Sequence, residues 1–361
     1  MSRLGALPVD RLREQVERED FSGVVHLVGD EDEPRLTLVR GFADRASGVA
    51  NDDAIRFGVA SVSKLLTGTA VARLVDRGVV RWDDRYVDLV GEDLRPSALD
   101  PAVTLRHLLS HTSGFGDYFD EEGDEPYEAT WTRVPSTTIR GPGDMWPMLA
   151  ELPQVAPPGT TAKYNNAAFI LVGIALEAVT GKRFPQVVRD EIFDPLGMAD
   201  SGFWPLDGVV PRLAVGYLPP EDGAATADAA SSDAASWRTN VYAMPAMGGP
   251  DGGAQATAPD LIRLLDGVTG RGGSRDFLTP ETRTLLIGPH VRDDHEPYSY
   301  GCGVLHYGEG SSARFGHTGE DPGFSARVWT YPASGERVVV LSNVTLGAGE
   351  VTGWIDDVMR G

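Results

Sequence analysis

Two strand pairs, one near each end of the chain, constrain the fold most. Residues 23–28 and 36–40 are apolar or alternating runs, joined by the turn-rich Gly29-Asp30-Glu31-Asp32-Glu33-Pro34. Residues 325–331 and 337–342 repeat the pattern, with Pro332-Ala333-Ser334-Gly335 as the turn. Helical patterns fill the space between, at 61–77, 105–109, 167–179 and 259–265. Strands at both termini with helices between predict one antiparallel sheet assembled from the two ends. Helices expected over 8–18 and 350–360 would flank it. The expected class is α/β (α+β), with 1–60 and 285–361 forming the sheet lobe and 61–284 a mainly helical insertion. A site would lie at their junction.

The chain of 361 residues is long enough for two such lobes. Its net charge of -21 removes the basic face that nucleic acid or an anionic membrane requires. Residues 1–20 carry no apolar signal core, and the apolar stretch 169–179 is too short to span a bilayer and contains Glu177. A soluble, cytoplasmic protein with no membrane partner is expected. The single cysteine, Cys302, excludes an internal disulfide and a cysteine metal cluster, and reads as a small packed residue in a strand. The tract 219–237, rich in Ala, Asp and Ser, reads as a loop.

Lysine usage is more informative than net charge. Of 32 Lys plus Arg, only Lys64, Lys163 and Lys182 are lysine, so arginine serves wherever a generic positive charge suffices. A position that keeps lysine is a candidate for a nitrogen that must lose its proton. Lys64 stands in Ser61-Val62-Ser63-Lys64, at the start of a helix apolar on nearly every face. Positions three apart share a helix face, so the Ser61 hydroxyl and the Lys64 amine can meet. A serine becomes a strong nucleophile only when a base takes its proton, and an apolar setting disfavours the charged lysine. Read alone, the same four residues describe a helix cap and a solvent-seeking lysine.

Two further elements carry polar side chains into glycine- or turn-rich surroundings. Lys163-Tyr164-Asn165-Asn166 precedes an apolar helix: Tyr164 could shuttle a proton and Asn166 could hold a substrate amide or ester. Its other reading is a loop in which Asn166 caps the helix. Gly316-His317-Thr318-Gly319 reads either as a strand edge approached by a ligand, with His317 and Thr318 as donors, or as a simple strand bend.

Taken in order, the three elements resemble the active site of the serine β-lactamase and penicillin-binding-protein superfamily, nearest its class C, DD-peptidase, D-aminopeptidase and esterase branches. The likeness runs through Phe57-Gly58-Val59-Ala60, Leu108-Leu109-Ser110-His111-Thr112-Ser113-Gly114, Pro158-Gly159-Thr160, Phe193-Asp194-Pro195-Leu196-Gly197-Met198 and Gly252-Gly253. It implies that Ser61 forms an acyl-enzyme while Lys64 and Tyr164 move protons. It places Asn166 on the acyl side and His317, Thr318 and Gly319 on the leaving-group side. It gives the oxyanion hole to the backbone N–H groups of Ser61 and Glu320. No cofactor or metal is implied.

One departure bears on substrate. Glu320 and Asp321 follow the third motif, and two acids there would repel a substrate carboxylate. A neutral ester or amide, or a substrate with a free amine, is expected over β-lactam or DD-carboxypeptidase chemistry. Three competing motifs fail. His107 and His111 have zinc-pair spacing but no Glu at 108, no Gly-x-Ser-x-Gly elbow occurs, and the glycines of 248–253 lack a nucleotide loop's context. The expected activity is an esterase or amidase acting on a small molecule. Acyl transfer, a D-amino-acid-specific peptidase, a DD-peptidase or β-lactamase, and a non-catalytic sensor stand as alternatives.

Overall fold

The computed structural model describes residues 13, 14, 16, 21–29, 34–119, 123, 127–219, 237–293, 296–310 and 313–360. The expected helix over 8–18 and the tract 219–237 fall largely outside them. Of the former only 13, 14 and 16 are described, and all are helical.

An eight-stranded antiparallel sheet is the frame. Its strands are β1 (Gly23–Val28), β2 (Pro34–Arg40), β3 (Val291–Arg292), β4 (Tyr298–Tyr300), β5 (Leu305–Tyr307), β6 (Arg314–Asp321), β7 (Phe324–Tyr331) and β8 (Glu336–Ser342). They lie in the order β2-β1-β8-β7-β6-β5-β4-β3. The junction of the two chain ends is β1 on β8, paired from Gly23↔Ser342 to Val28↔Arg337. β1 and β8 are buried along their whole length, which accounts for their continuous apolar runs in place of alternation.

Helix α1 (Ser63–Asp76) is wrapped by other elements on most sides, as its apolar surface demands, and Lys64 within it has no exposed area. Helices α2 (Leu105–Leu109), α3 (Asn166–Thr180), α4 (Ala258–Thr269), α5 (Pro280–Ile287) and α6 (Gly349–Arg360) follow in the chain. α3 and α5 pack on α1, while α4 lies against β8 and β1 and α6 against β7. The segment around Cys302 is not a strand: it is the bend between β4 and β5, with Gly303 at φ 76°. Cys302 is fully buried there, and its carbonyl presses on α1 so closely that a Cβ at Gly68 would stand 2.0 Å from it.

Candidate active site

Ser61 does not begin the α-helix as its sequence suggests. It sits in a 3-10 turn, Ala60–Val62, that feeds into α1. Ala60 takes the left-handed φ of 48°, an uncommon setting for a residue with a side chain. This turn is clamped from two sides. Val59 N–H donates to the Ala254 carbonyl at 2.9 Å, and the Ala254 N–H donates to Ser63 Oγ at 3.0 Å. The Thr67 hydroxyl donates to the Pro250 carbonyl at 2.6 Å. The glycine-rich segment 248–253 is thereby stapled alongside α1, close to the cleft.

Lys64 Nζ donates to Ser61 Oγ at 2.9 Å, to Asn166 Oδ1 at 2.7 Å and to the Asp251 carbonyl at 2.7 Å. Three acceptors match the three protons of an ammonium. The same frame suits the neutral amine: two N–H bonds remain on Asn166 and Asp251, and the Ser61 hydroxyl then donates to the nitrogen's lone pair. A proton can therefore pass between Ser61 Oγ and Lys64 Nζ with the other two bonds in place.

Asn166 is free for this contact because its neighbour takes the cap. Asn165, not Asn166, is the N-cap of α3, its Oδ1 accepting from the Ala168 N–H at 2.6 Å. Asp117 accepts the next free donors, Asn166 N–H at 2.6 Å and Ala167 N–H at 2.9 Å.

Tyr164 lies in the loop before α3, its ring centroid 4.7 Å from Lys64 Nζ. The lysine beside it in space is Lys64, since its sequence neighbour Lys163 is exposed. The bed under Tyr164 is the segment after α2. Lys163 N–H donates to the His111 carbonyl at 3.1 Å, Gly159 N–H to the Thr112 carbonyl at 2.7 Å, and Asn165 N–H to His111 Nδ1 at 2.9 Å. The His111 ring, held at φ 58°, stacks on Tyr164 and also meets Phe169 and Tyr300. His107 faces elsewhere, its Nδ1 accepting from the Thr104 N–H in a capping box, so the two histidines make no pair. Among the described residues no group of three or more His, Cys, Asp or Glu side chains is arranged to hold a metal.

The third wall is β6. β5 pairs with it only from Arg314 to Gly316, and the edge from His317 onward faces the Ala60–Val62 turn. The approach is tight: a Cβ on Gly319 would stand 2.2 Å from the Val59 carbonyl and 3.1 Å from Ser61 N. Only glycine fits, which brings the backbone of β6 against the turn that carries Ser61. His317 is buried, and burial together with the nearby Lys64 charge lowers its pKa to about 3. Its Nδ1 donates to the Thr318 carbonyl at 2.5 Å, which leaves Nε2 of the neutral ring an acceptor rather than the donor anticipated from sequence. Burial, then Lys64 and His317, also push His111 well down.

Ser61, Tyr164, Asn166, Thr318 and Glu320 all line one cleft of about 640 Å3. Glu320, however, carries its own counter-ion: its carboxylate pairs with Arg327 at 2.5 Å and accepts from Ser325 Oγ at 2.8 Å. Of the two acids expected to repel a carboxylate, Glu320 therefore has its charge offset within the sheet. Sequence reasoning passed over Asp117, His111, Tyr118 and Asp251. Asp251 acts through a backbone carbonyl, which no residue type announces. The other three had a signal in the polar and aromatic residues of 111–118, of which His111 was weighed only as half of a zinc pair and within the family likeness.

Hydrolysis through an activated serine is the class that this fold and this arrangement define. The chain belongs to the Beta-lactamase family, whose model matches residues 9–357. It is 27% identical over 338 residues to penicillin-binding protein 4 of Amycolatopsis lactamdurans, covering 90% of this chain and 80% of that protein. It is 30% identical over 300 residues to esterase EstB of Burkholderia gladioli, covering 77% and 72%. The crystal structure of a penicillin-binding protein from Bacillus halodurans superposes with a TM-score of 0.85 at 34% identity, over 97% of this chain and 99% of that one. This protein is thus a serine hydrolase of that family. Among the described residues no helix is long and apolar enough to cross a membrane.

Proposed function

We propose that the protein is a carboxylesterase that cleaves small neutral esters through an acyl-enzyme on Ser61. The observation that carries this reading is the 2.9 Å contact between Lys64 Nζ and Ser61 Oγ at a nitrogen with no exposed area. The likeness to esterase EstB, by its name an esterase, supports the same substrate class.

In the forward half-reaction Ser61 Oγ loses its proton to the Lys64–Tyr164 pair and attacks the ester carbonyl. The electron pair of the C=O bond moves onto oxygen, and the backbone N–H groups of Ser61 and Glu320 receive that oxyanion. Two such donors contribute several kcal/mol at the transition state. Collapse of the tetrahedral intermediate expels the alcohol oxygen, which takes a proton from the pair through Tyr164. Water then enters, gives a proton to the pair and attacks the acyl-enzyme, and Ser61 leaves with that proton restored. Lys64 and Tyr164 titrate as a coupled unit, so the proton belongs to the pair. Asn166 holds the acyl side, and Thr318 the leaving-group side.

A second reading, hydrolysis of amides of amino acids with a free amine, is favoured by Asp321, which with Thr318 is among the residues lining the cleft. Turnover of p-nitrophenyl acetate and of D- and L-phenylalanine amide, by wild type and Ser61→Ala, decides between them. Ester hydrolysis lost in the variant supports the proposal. Amide turnover alone would replace it with the second reading, and activity surviving in Ser61→Ala would refute Ser61 as nucleophile.

A further inference from the structure

A second space lies behind the cleft wall. It is a partly open chamber of about 50 Å3 lined by Trp131, Ile139, Met145, Ile170, Met244 and Met247, among others. Three of the chain's seven methionines stand in that wall, side chains whose flexibility lets a pocket reshape around an apolar guest. Polar groups at its rim are engaged by the protein. Trp131 Nε1 donates to the Ala243 carbonyl at 2.9 Å, Asn240 Nδ2 to the Pro322 carbonyl at 2.8 Å, and Tyr118 Oη to Asp251 Oδ2. Gln255 is tied to the backbone of Trp204 through both side-chain atoms. Tyr127 and Asp321 also line it, on the side it shares with the cleft, and the rest of its wall presents mainly hydrocarbon to a ligand.

Its position relative to Ser61 gives the ligand a role. Tyr118, Asp251 and Gly252 line both the chamber and the cleft. Gly252 leaves room at this boundary: outside its chain neighbours, a Cβ there would meet nothing closer than the Ala60 carbonyl carbon at 3.7 Å. The chamber also lies on the acyl side. Ile170 follows Asn166 by one turn of α3, on the same helix face, so the helix that offers Asn166 to Lys64 offers Ile170 to the chamber.

We propose that this chamber is the acyl-chain pocket, and that it selects a linear aliphatic acyl group of medium length. The inference rests on the esterase reading for its reaction and adds the identity of the acyl group. An acyl carbon on Ser61 extends its chain past Gly252, with the methionines moving to admit it.

The test is the ratio of kcat/KM for p-nitrophenyl hexanoate to that for p-nitrophenyl acetate, in wild type, Ile170→Phe and Met247→Phe. A ratio taken within one preparation is unaffected by the fraction of folded enzyme. Filling the chamber is expected to lower it at least tenfold, because single methylenes in apolar pockets discriminate by about 10- to 200-fold. An unchanged ratio in both variants overturns the proposal. Calorimetric binding of hexanamide in a Ser61→Ala background separates this result from failure of the esterase reading. Affinity at least tenfold weaker when either position is filled supports the chamber even if neither ester is turned over, and equal affinity overturns it.

Discussion

His111 and Tyr164 lie ring over ring, their centroids 4.6 Å apart and their planes 18° from parallel. The stack is locked from below, since the Asn165 N–H donates to His111 Nδ1 and thereby fixes which nitrogen carries the proton. His111 touches no reacting atom and acts as a positioning residue for Tyr164. In His111→Phe the stack survives but a buried N–H loses its acceptor, a cost of about 1–3 kcal/mol. The expected outcome is a melting temperature lower by a few degrees, with kcat down about tenfold, KM held, and the basic limb of the pH–rate profile displaced. An altered KM with an unmoved profile would assign His111 a packing role only.

Lys64→Arg keeps the positive charge and removes the ability to lose it near neutral pH. kcat for p-nitrophenyl acetate is expected to fall by about 10^2- to 10^4-fold, the share attributable to general acid–base catalysis. Circular dichroism reports whether the larger guanidinium is accommodated at a position with no exposed area. A folded variant retaining more than about a tenth of the activity would place the base elsewhere.

Acid should destabilise the protein through its buried histidines. His317 and His111 are held neutral, with folded-state pKa values below the ordinary 6.5 because burial and Lys64 disfavour the cation. The unfolded chain binds these protons first, so the stability they contribute is complete above about pH 6.5 and is lost as pH falls towards 3. Each contributes up to about 1.4 kcal/mol per pH unit in that window. Denaturant midpoints measured from pH 7 to pH 4 should fall steadily, and His317→Asn should flatten the slope. A midpoint independent of pH over this range would contradict the assignment.

Arg327 sets how the acidic rim treats charged substrates. Its pairing with Glu320 is partly exposed, so its loss should cost little stability, about 1 kcal/mol or less. In Arg327→Gln the Glu320 carboxylate stands uncompensated beside the cleft. Hydrolysis of an ester with a carboxylate-bearing leaving group is expected to fall several-fold relative to its neutral counterpart, mostly in KM. Equal changes for both esters would show that the rim charge does not reach the substrate.

Much of this was legible in sequence for definite reasons. The apolar runs 23–28 and 337–342 could be recognised as one sheet's interior because a strand buried on both faces has no polar side to show. Ser61, Lys64, Tyr164, Asn166 and Thr318 stand out as candidates because polar side chains sit there at short, fixed spacings, whereas Glu320 enters only through the resemblance, by its backbone N–H. Cys302 was misread as a strand residue because Gly301 and Gly303, which bend the chain there, also occur in strands.

What the amino-acid order determined by itself is the inventory: an inward lysine in a chain that prefers arginine, a tyrosine before an apolar helix, a strand with glycines at 316 and 319. Tertiary structure alone decided how those parts are used. It chose Asn165 over Asn166 as the helix cap, which frees Asn166 for Lys64. It turned His317 into an acceptor by giving Nδ1 to a carbonyl, and paired Glu320 with Arg327 across two strands. Each outcome depends on which of several competing partners lies within about 3 Å; the Asn166–Lys64 contact joins residues 102 positions apart, and the local contacts are selected by the packing around them.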